Sequence, residues 1–292
     1  MDMSVVHGSV VVGVDGSEAS TAAVDWAVRF AARESRRLAV VHACGLPGNI
    51  ADFDDVVANE RGLMSVGRTL AREAEGEARL SAPEVAVTTV VAWGGAGNLL
   101  VEASETAAVL VVGARGRGAV ASVLLGSVSG QVARESHCPT VVVREWSERD
   151  RGPVVVGVDG TAASTGAVEF AFHQASVNAV PLKVLHAGRS LRDLSAPVVD
   201  VTSYEKRIDL SEEEERLVAE TVAGLSEKYP DVVVTEVYRR GDPVRQLVRA
   251  SGEASLVVVG SRGRRLLSST LLGSVSRAVV ERAGCPVAVV RP

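Results

Sequence analysis

Val10-Val11-Val12-Gly13-Val14-Asp15-Gly16-Ser17 returns 144 residues later as Val154-Val155-Val156-Gly157-Val158-Asp159-Gly160-Thr161. A short β-branched run that stops at Asp-Gly-Ser reads as a buried strand, a turn and a helix start, with Ser17 and Thr161 as N-caps. The same offset relates Val40-Val41-His42-Ala43 to Val184-Leu185-His186-Ala187. By His137-Cys138-Pro139 and Gly284-Cys285-Pro286 the offset has grown to 147, so one loop-and-helix segment differs by three net residues. The chain is therefore two copies of one unit, 1–146 and 147–292, with the charged, turn-rich stretch 144–152 as linker. A length of 292 residues suits two domains, each large enough to bury its own core.

Outward from the opening strand, apolar runs stand at 9–14, 37–43, 85–91, 108–112 and 139–143, and again at 153–158, 181–187, 232–238, 255–259 and 286–291. They are short, Val-rich and nearly continuous, as strands are when both faces are covered. Ala-, Glu- and Arg-rich segments of helical spacing separate them; Ser211 to Arg216 reads as a solvated helix start with acids at the positive end of the dipole. Five strand–helix units per half predict an α/β fold of two tandem, doubly wound, mostly parallel five-stranded sheets. Aromatic residues are 3% of the chain, so the cores must be Val, Ala and Leu.

A net charge of −5 excludes nucleic acid held by a basic surface. Cys44, Cys138 and Cys285 form no close pair, which predicts reduced thiols in a cytoplasmic protein. The cysteines before Pro139 and Pro286 read as small buried groups. The sequence presents no apolar leader and no run of the ~20 residues that span a bilayer, so no membrane partner is expected. The five histidines make no metal-ligand spacing.

The chemistry is carried by a loop that also occurs twice. Gly113-Ala114-Arg115-Gly116, nine residues, then Gly126-Ser127-Val128-Ser129 recurs as Gly260-Ser261-Arg262-Gly263, nine residues, then Gly273-Ser274-Val275-Ser276. Each copy lies between a strand and a helix. Glycines let the backbone approach an anion, and a helix N-terminus offers unpaired N–H groups to it. Nucleotide binding, twice per chain, is the reading. Asp15, Asp159 and both loops fall at strand carboxyl ends, the edge where open α/β sheets hold ligands.

The Val-Gly-Val-Asp-Gly-Ser opening and the Gly-x2-Gly-x9-Gly-Ser-Val-Ser loop together resemble the ATP-binding branch of the universal stress proteins, in its tandem, actinobacterial form. The resemblance covers nearly the whole chain. It implies a Rossmann-like strand order 3-2-1-4-5 and one ATP per domain. Gly113, Gly116, Gly260 and Gly263 would turn N–H groups to the triphosphate, and Gly126, Ser127, Val128, Gly273, Ser274 and Val275 would open the helix beneath it. Ser129 and Ser276 are expected within hydroxyl reach. Asp15 and Asp159 would accept from ribose hydroxyls or ligate Mg²⁺, and Gly13 and Gly157 would leave room for base or ribose. Arg115, Arg117, Arg262 and Arg264 either neutralise phosphates or point to solvent. Arg117-Gly118 is replaced by Arg264-Arg265 in the second copy. The last strands, Thr140 to Val143 and Val287 to Val290, are apolar edges; in the family such edges pair domains and then chains, which implies a homodimer with four ATP sites.

No Walker A lysine motif and no Gly-x-Ser-x-Gly elbow occur, and no acid stands inside the loop to orient a water. No catalytic residue is therefore assigned. The leading expectation is a binding protein in stress or growth-arrest adaptation, in which ATP orders loops 114–125 and 261–272 and so biases contact with a regulatory partner that the sequence does not identify. A slow ATPase or nucleotide-processing enzyme is the alternative, and a nucleotide-free interaction module the third. His42 and His186 read as packed strand-end residues before base contacts. Trp26, Trp93 and Trp146 carry no cofactor signature.

Overall fold

The computed structural model describes residues 3–45, 53–116, 125–144, 152–160, 164–188, 212–261 and 272–291, with backbone alone over 53–60, 212–215 and 217. The chain divides into two compact units, Met1–Glu145 and Trp146–Pro292. Most of the expected linker, together with Arg117, Gly118, Thr161, Arg262, Gly263 and Arg264, lies outside the described residues.

After a 3-10 turn, Met3–Val6, unit 1 runs β1 (Val10–Gly13), α1 (Glu18–Arg33), β2 (Leu38–Cys44), α2 (Phe53–Ser81), β3 (Val87–Trp93), α3 (Ala96–Ala103), β4 (Val109–Gly113), α4 (Ser127–Glu135) and β5 (Thr140–Val143). Unit 2 repeats the order with β6 (Val154–Val158), α5 (Thr165–Val177), β7 (Leu182–Gly188), α6 (Glu212–Lys228), β8 (Val234–Arg240), α7 (Pro243–Ser251), β9 (Leu256–Gly260), α8 (Ser274–Arg282) and β10 (Val287–Val290). All pairings within a unit are parallel. They give the order 3-2-1-4-5 in unit 1 and the matching order β8-β7-β6-β9-β10 in unit 2.

Every expected strand is present. β3 and β8 begin two residues into the apolar runs that announced them. Pairing sets those limits: Leu38 faces Val87 and Leu182 faces Val234, so the residues before them serve the turn. The described part of each unit has four α-helices, because no helix follows the last strand.

Local chemistry explains the helices. α1 begins where the Ser17 side chain accepts from the Ser20 N–H, with Glu18 in the first turn and Arg33 in the last. Ala23, Val24, Ala27, Val28 and Ala31 form its buried stripe at helical spacing. The cores are Val, Ala and Leu as composition requires; Val10, Val11, Val12, Leu38, Leu110 and Val111 are all inaccessible to solvent. Among the described residues no helix is long and apolar enough to cross a membrane.

The three cysteines are buried and form no disulfide. Burial pushes the Cys138 thiol up from 9.0 to about 12. A thiolate is the reactive species, so alkylation of native Cys138 at pH 8 is expected to run at least tenfold slower than in the denaturant-unfolded chain, as timed mass spectrometry would show. The same shift leaves stability untouched below pH 9 and lowers it as pH rises from 9 towards 12, because only the unfolded chain then ionises.

Candidate functional site at the carboxyl edge of each sheet

In unit 1 the central strand β1 pairs with β2 on one side and β4 on the other. Chain connections diverge there: α1 packs with α2, and α3 with α4. Such a divergence opens a crevice beyond the strand ends. In unit 2 it falls between β6 and β9.

Two glycines at this edge admit protein. A Cβ at Gly13 would come 2.8 Å from Leu100 Cδ1, and one at Gly157 3.0 Å from Leu247 Cδ1. The space expected to receive base or ribose there holds the third helix of each unit. A Cβ at Gly113 would lie 2.6 Å from the Ala19 carbonyl oxygen, so this glycine lets β4 close against α1.

The Asp-Gly turn aims the carboxylate. Gly16 has φ +76° and Gly160 φ +74°, conformations that glycine adopts without steric cost. Asp15 Oδ1 accepts from the Ser17 N–H at 3.0 Å and from Ser17 Oγ–H at 2.6 Å. In unit 2 α5 is described from Thr165, and the hydroxyl of Ser164 just before it donates to Asp159 Oδ1 at 2.8 Å. Each acid is thus oriented by a serine at the helix entry, at a different spacing in each unit.

Both glycine-rich loops are closed at the neck. The Gly126 N–H donates to the Ala114 carbonyl at 2.8 Å, and the Gly273 N–H to the Ser261 carbonyl at 2.9 Å. Ser129 and Ser276, expected to reach a ligand, donate their hydroxyls to Gly113 O and Gly260 O, each at 2.6 Å. They are buried and tie the helix to the strand, fixing where its N-terminus points.

Those N-termini are suited to an anion. α1 and α7 are capped by the side chains of Ser17 and Asp242. α4 and α8 open on Gly126 and Gly273, with no side-chain cap and no acid in the first turn. The N–H groups of Ser127, Val128, Ser274 and Val275 belong to the helical positions that lack intrahelical acceptors, and the helix dipole adds positive potential.

The two motifs of unit 1 meet. A Cβ at Gly116 would fall against Asp15 Oδ2, and Ser17 Oγ lies 3.5 Å from the Arg115 carbonyl. Arg115 is half-buried and Ser127 exposed. The crevice thus has a carboxylate on one wall, a glycine facing it, and a helix N-terminus closing the end. Asp159, Gly260, Gly273, Ser274 and Val275 stand at the corresponding places in unit 2. No group of three or more His, Cys, Asp or Glu able to hold a metal occurs among the described residues. Mg²⁺ commonly binds through one or two carboxylates plus substrate phosphates; Asp15 and Asp159 are acids of that kind.

His42 Nδ1 lies 2.8 Å from the Val14 carbonyl and His186 is buried, in keeping with packed strand-end residues. Gly16, Gly160 and Ser164 were not singled out from sequence. Asp-Gly after a strand signals the glycines; nothing local signals the contact of Ser164 with Asp159.

The universal stress protein family model matches residues 8–144 and again 151–291. Universal stress protein Mb2028c of Mycobacterium bovis is 37% identical over 297 residues, covering 98% of this chain and 97% of that protein. Universal stress protein Rv2623 of Mycobacterium tuberculosis is 37% identical over 292 residues, covering 97% and 96%. A universal stress protein of Archaeoglobus fulgidus of known crystal structure has the same fold, with TM-score 0.70 at 21% identity, covering 97% of this chain and 98% of that one. Two family matches in tandem and relatives aligned nearly end to end agree with the repeated crevice: the chain belongs to the universal stress protein family.

Proposed function

We propose that each unit binds one ATP at its crevice, and that occupancy, not rapid turnover, carries the function in stress or growth-arrest adaptation. The observation that supports this reading most is the meeting of Asp15 with Gly116 beside the uncapped start of α4. A glycine there lets the loop backbone come up to the Asp15 carboxylate, so that ribose hydroxyls donate to Asp15 while phosphate oxygens lie against backbone N–H groups. Both halves of a nucleotide then find their chemical complement within one crevice.

In unit 1 the triphosphate is taken by the N–H groups of Gly116, Ser127 and Val128 with the Arg115 guanidinium, and Arg117 and Gly118 in the same loop extend the contact. In unit 2 Gly260, Arg262, Gly263 and Arg264 with Ser274 and Val275 act likewise, and Asp159 takes the ribose. Mg²⁺, when bound with ATP, would be shared between Asp15 or Asp159 and phosphate oxygens, where it neutralises charge. Binding engages the loops 114–125 and 261–272, so a partner that reads them senses occupancy; this requires the two loop states to differ in ATP affinity.

Hydrogen exchange tests the switch. Saturating ATP is expected to slow exchange at least tenfold for amides of 114–116, 127 and 128 and for their counterparts in unit 2, with the strands unchanged. Exchange unaltered by ATP that is bound would rule out the loops as the switch.

A further inference from the structure

Trp93 ends β3 opposite Cys44, the last residue of β2, at the same carboxyl edge that carries Asp15 and Gly116. It is 41% exposed and is the aromatic among the exposed large apolar residues; Val66, Leu80 and Val233 are the others described. Two glycines follow, Gly94 with φ +143° and Gly95, so the next positions bring no side chain to cover the indole. A partly bare tryptophan at a ligand edge has a large π-face to offer.

The face on which it stands matters. A Cβ at Gly67 of α2 would lie 2.8 Å from His42 Cδ2 and 3.1 Å from Val91 Cγ1, so His42 and Val91 point to the α2 side. Strand alternation puts Trp93 on that side with Val91. In unit 2 a hollow opens on the equivalent face beside the Asp-Gly turn, lined by Val158, Gly160 and Ser164, by Val184 of β7, and by Val218 and Val222 of α6. Its walls are mostly apolar. The equivalent course in unit 1 runs from Gly16 past His42 to Trp93. From β4 to β3 is three strand spacings, roughly 14 Å, which a nucleoside triphosphate spans with phosphates at β4, ribose at β1 and base over β2.

Unit 2 differs at this point. β8 ends on Arg240, opposite Gly188, where unit 1 has Trp93. The carbonyl of Arg240 accepts from Gln246 Nε2 at 3.1 Å, and the aromatic of β8, Tyr238, stands two residues earlier with its hydroxyl donating to Glu236 Oε2 at 2.6 Å.

We propose that Trp93 is a stacking platform for the base of the nucleotide held in unit 1, and that unit 2 binds its nucleotide without one. This rests on the ATP reading above and adds to it an affinity-determining residue present in one site of the two. Base–aromatic stacking tolerates any base, because each has a π-face, and typically changes affinity about tenfold or more on truncation to alanine.

The test uses the full chain freed of nucleotide. Wild type, Trp93→Ala and Trp93→Phe are titrated calorimetrically with ATP and, separately, with inorganic tripolyphosphate. Trp93→Ala is expected to weaken one of two ATP sites about tenfold and leave the other unchanged. Trp93→Phe should recover most of the loss, and tripolyphosphate should bind all three alike. Tryptophan emission gives a second readout that needs no truncated variant: ATP should change it in wild type, and the change should be absent in Trp93→Phe. Two ATP bound to Trp93→Ala as tightly as to wild type, or an emission change identical in wild type and Trp93→Phe, would overturn the platform and leave ATP binding standing. No ATP bound by wild type would remove the ATP reading itself, and the platform with it.

Discussion

Replacing Gly116 with glutamate is expected to remove one of the two ATP molecules bound per chain, weakening that site at least 100-fold. The first atom added, Cβ, already falls against Asp15 Oδ2, so the new side chain must turn into the crevice or displace the acid. Either way a second carboxylate enters a site built for phosphate oxygens. Like-charge juxtaposition costs several kcal/mol, and each 1.4 kcal/mol is about tenfold in affinity. The core is spared, because Gly116 lies beyond the end of β4. Calorimetry should report a stoichiometry falling from two to one in Gly116→Glu, and to zero when Gly263→Glu is added. Gly116→Ala isolates the steric part and should lose less. A Gly116→Glu chain that still binds two ATP with unchanged affinity would show that this loop does not hold the phosphates.

Gly113→Ala is expected to act on the fold instead, costing about 2–3 kcal/mol as overpacking does when a rigid neighbour cannot yield. The added Cβ meets the Ala19 carbonyl oxygen at 2.6 Å and its carbon at 2.7 Å. Those are backbone atoms of α1, a helix anchored by the Ser17 cap and a buried stripe, and no rotamer change relieves them. For a unit of this size the loss corresponds to a melting temperature lower by roughly 5–10 °C. Gly13→Ala makes the informative contrast, since its obstacle at 2.8 Å is the tip of the Leu100 side chain, which can rotate. Denaturant unfolding should rank Gly113→Ala well below Gly13→Ala. Equal midpoints would mean that α1 and β4 separate more easily than their contact indicates.

Much of this was legible in the sequence because the fold writes its strands in valine. Val10 to Val12, Val109 to Val112 and their repeats are buried on both faces, so composition alone marks them. The Asp-Gly turns and the glycine spacing were legible for the same kind of reason: each demands a backbone that few residues supply. The remainder depended on packing. Gly13 and Gly157 look like openings for a ligand until Leu100 and Leu247 are seen beside them. Ser129 and Ser276 look like ligand contacts until their hydroxyls are found on Gly113 and Gly260. Trp93 had no motif around it; its interest comes from the register that brings the end of β3 level with the end of β2.

The most direct test is an equilibrium titration of the wild-type chain, freed of nucleotide by unfolding and refolding, with ATP and Mg²⁺. Saturation at two ATP per chain is the result expected. A refolded chain with native circular dichroism that takes up no ATP would contradict the proposal that these two crevices are nucleotide sites.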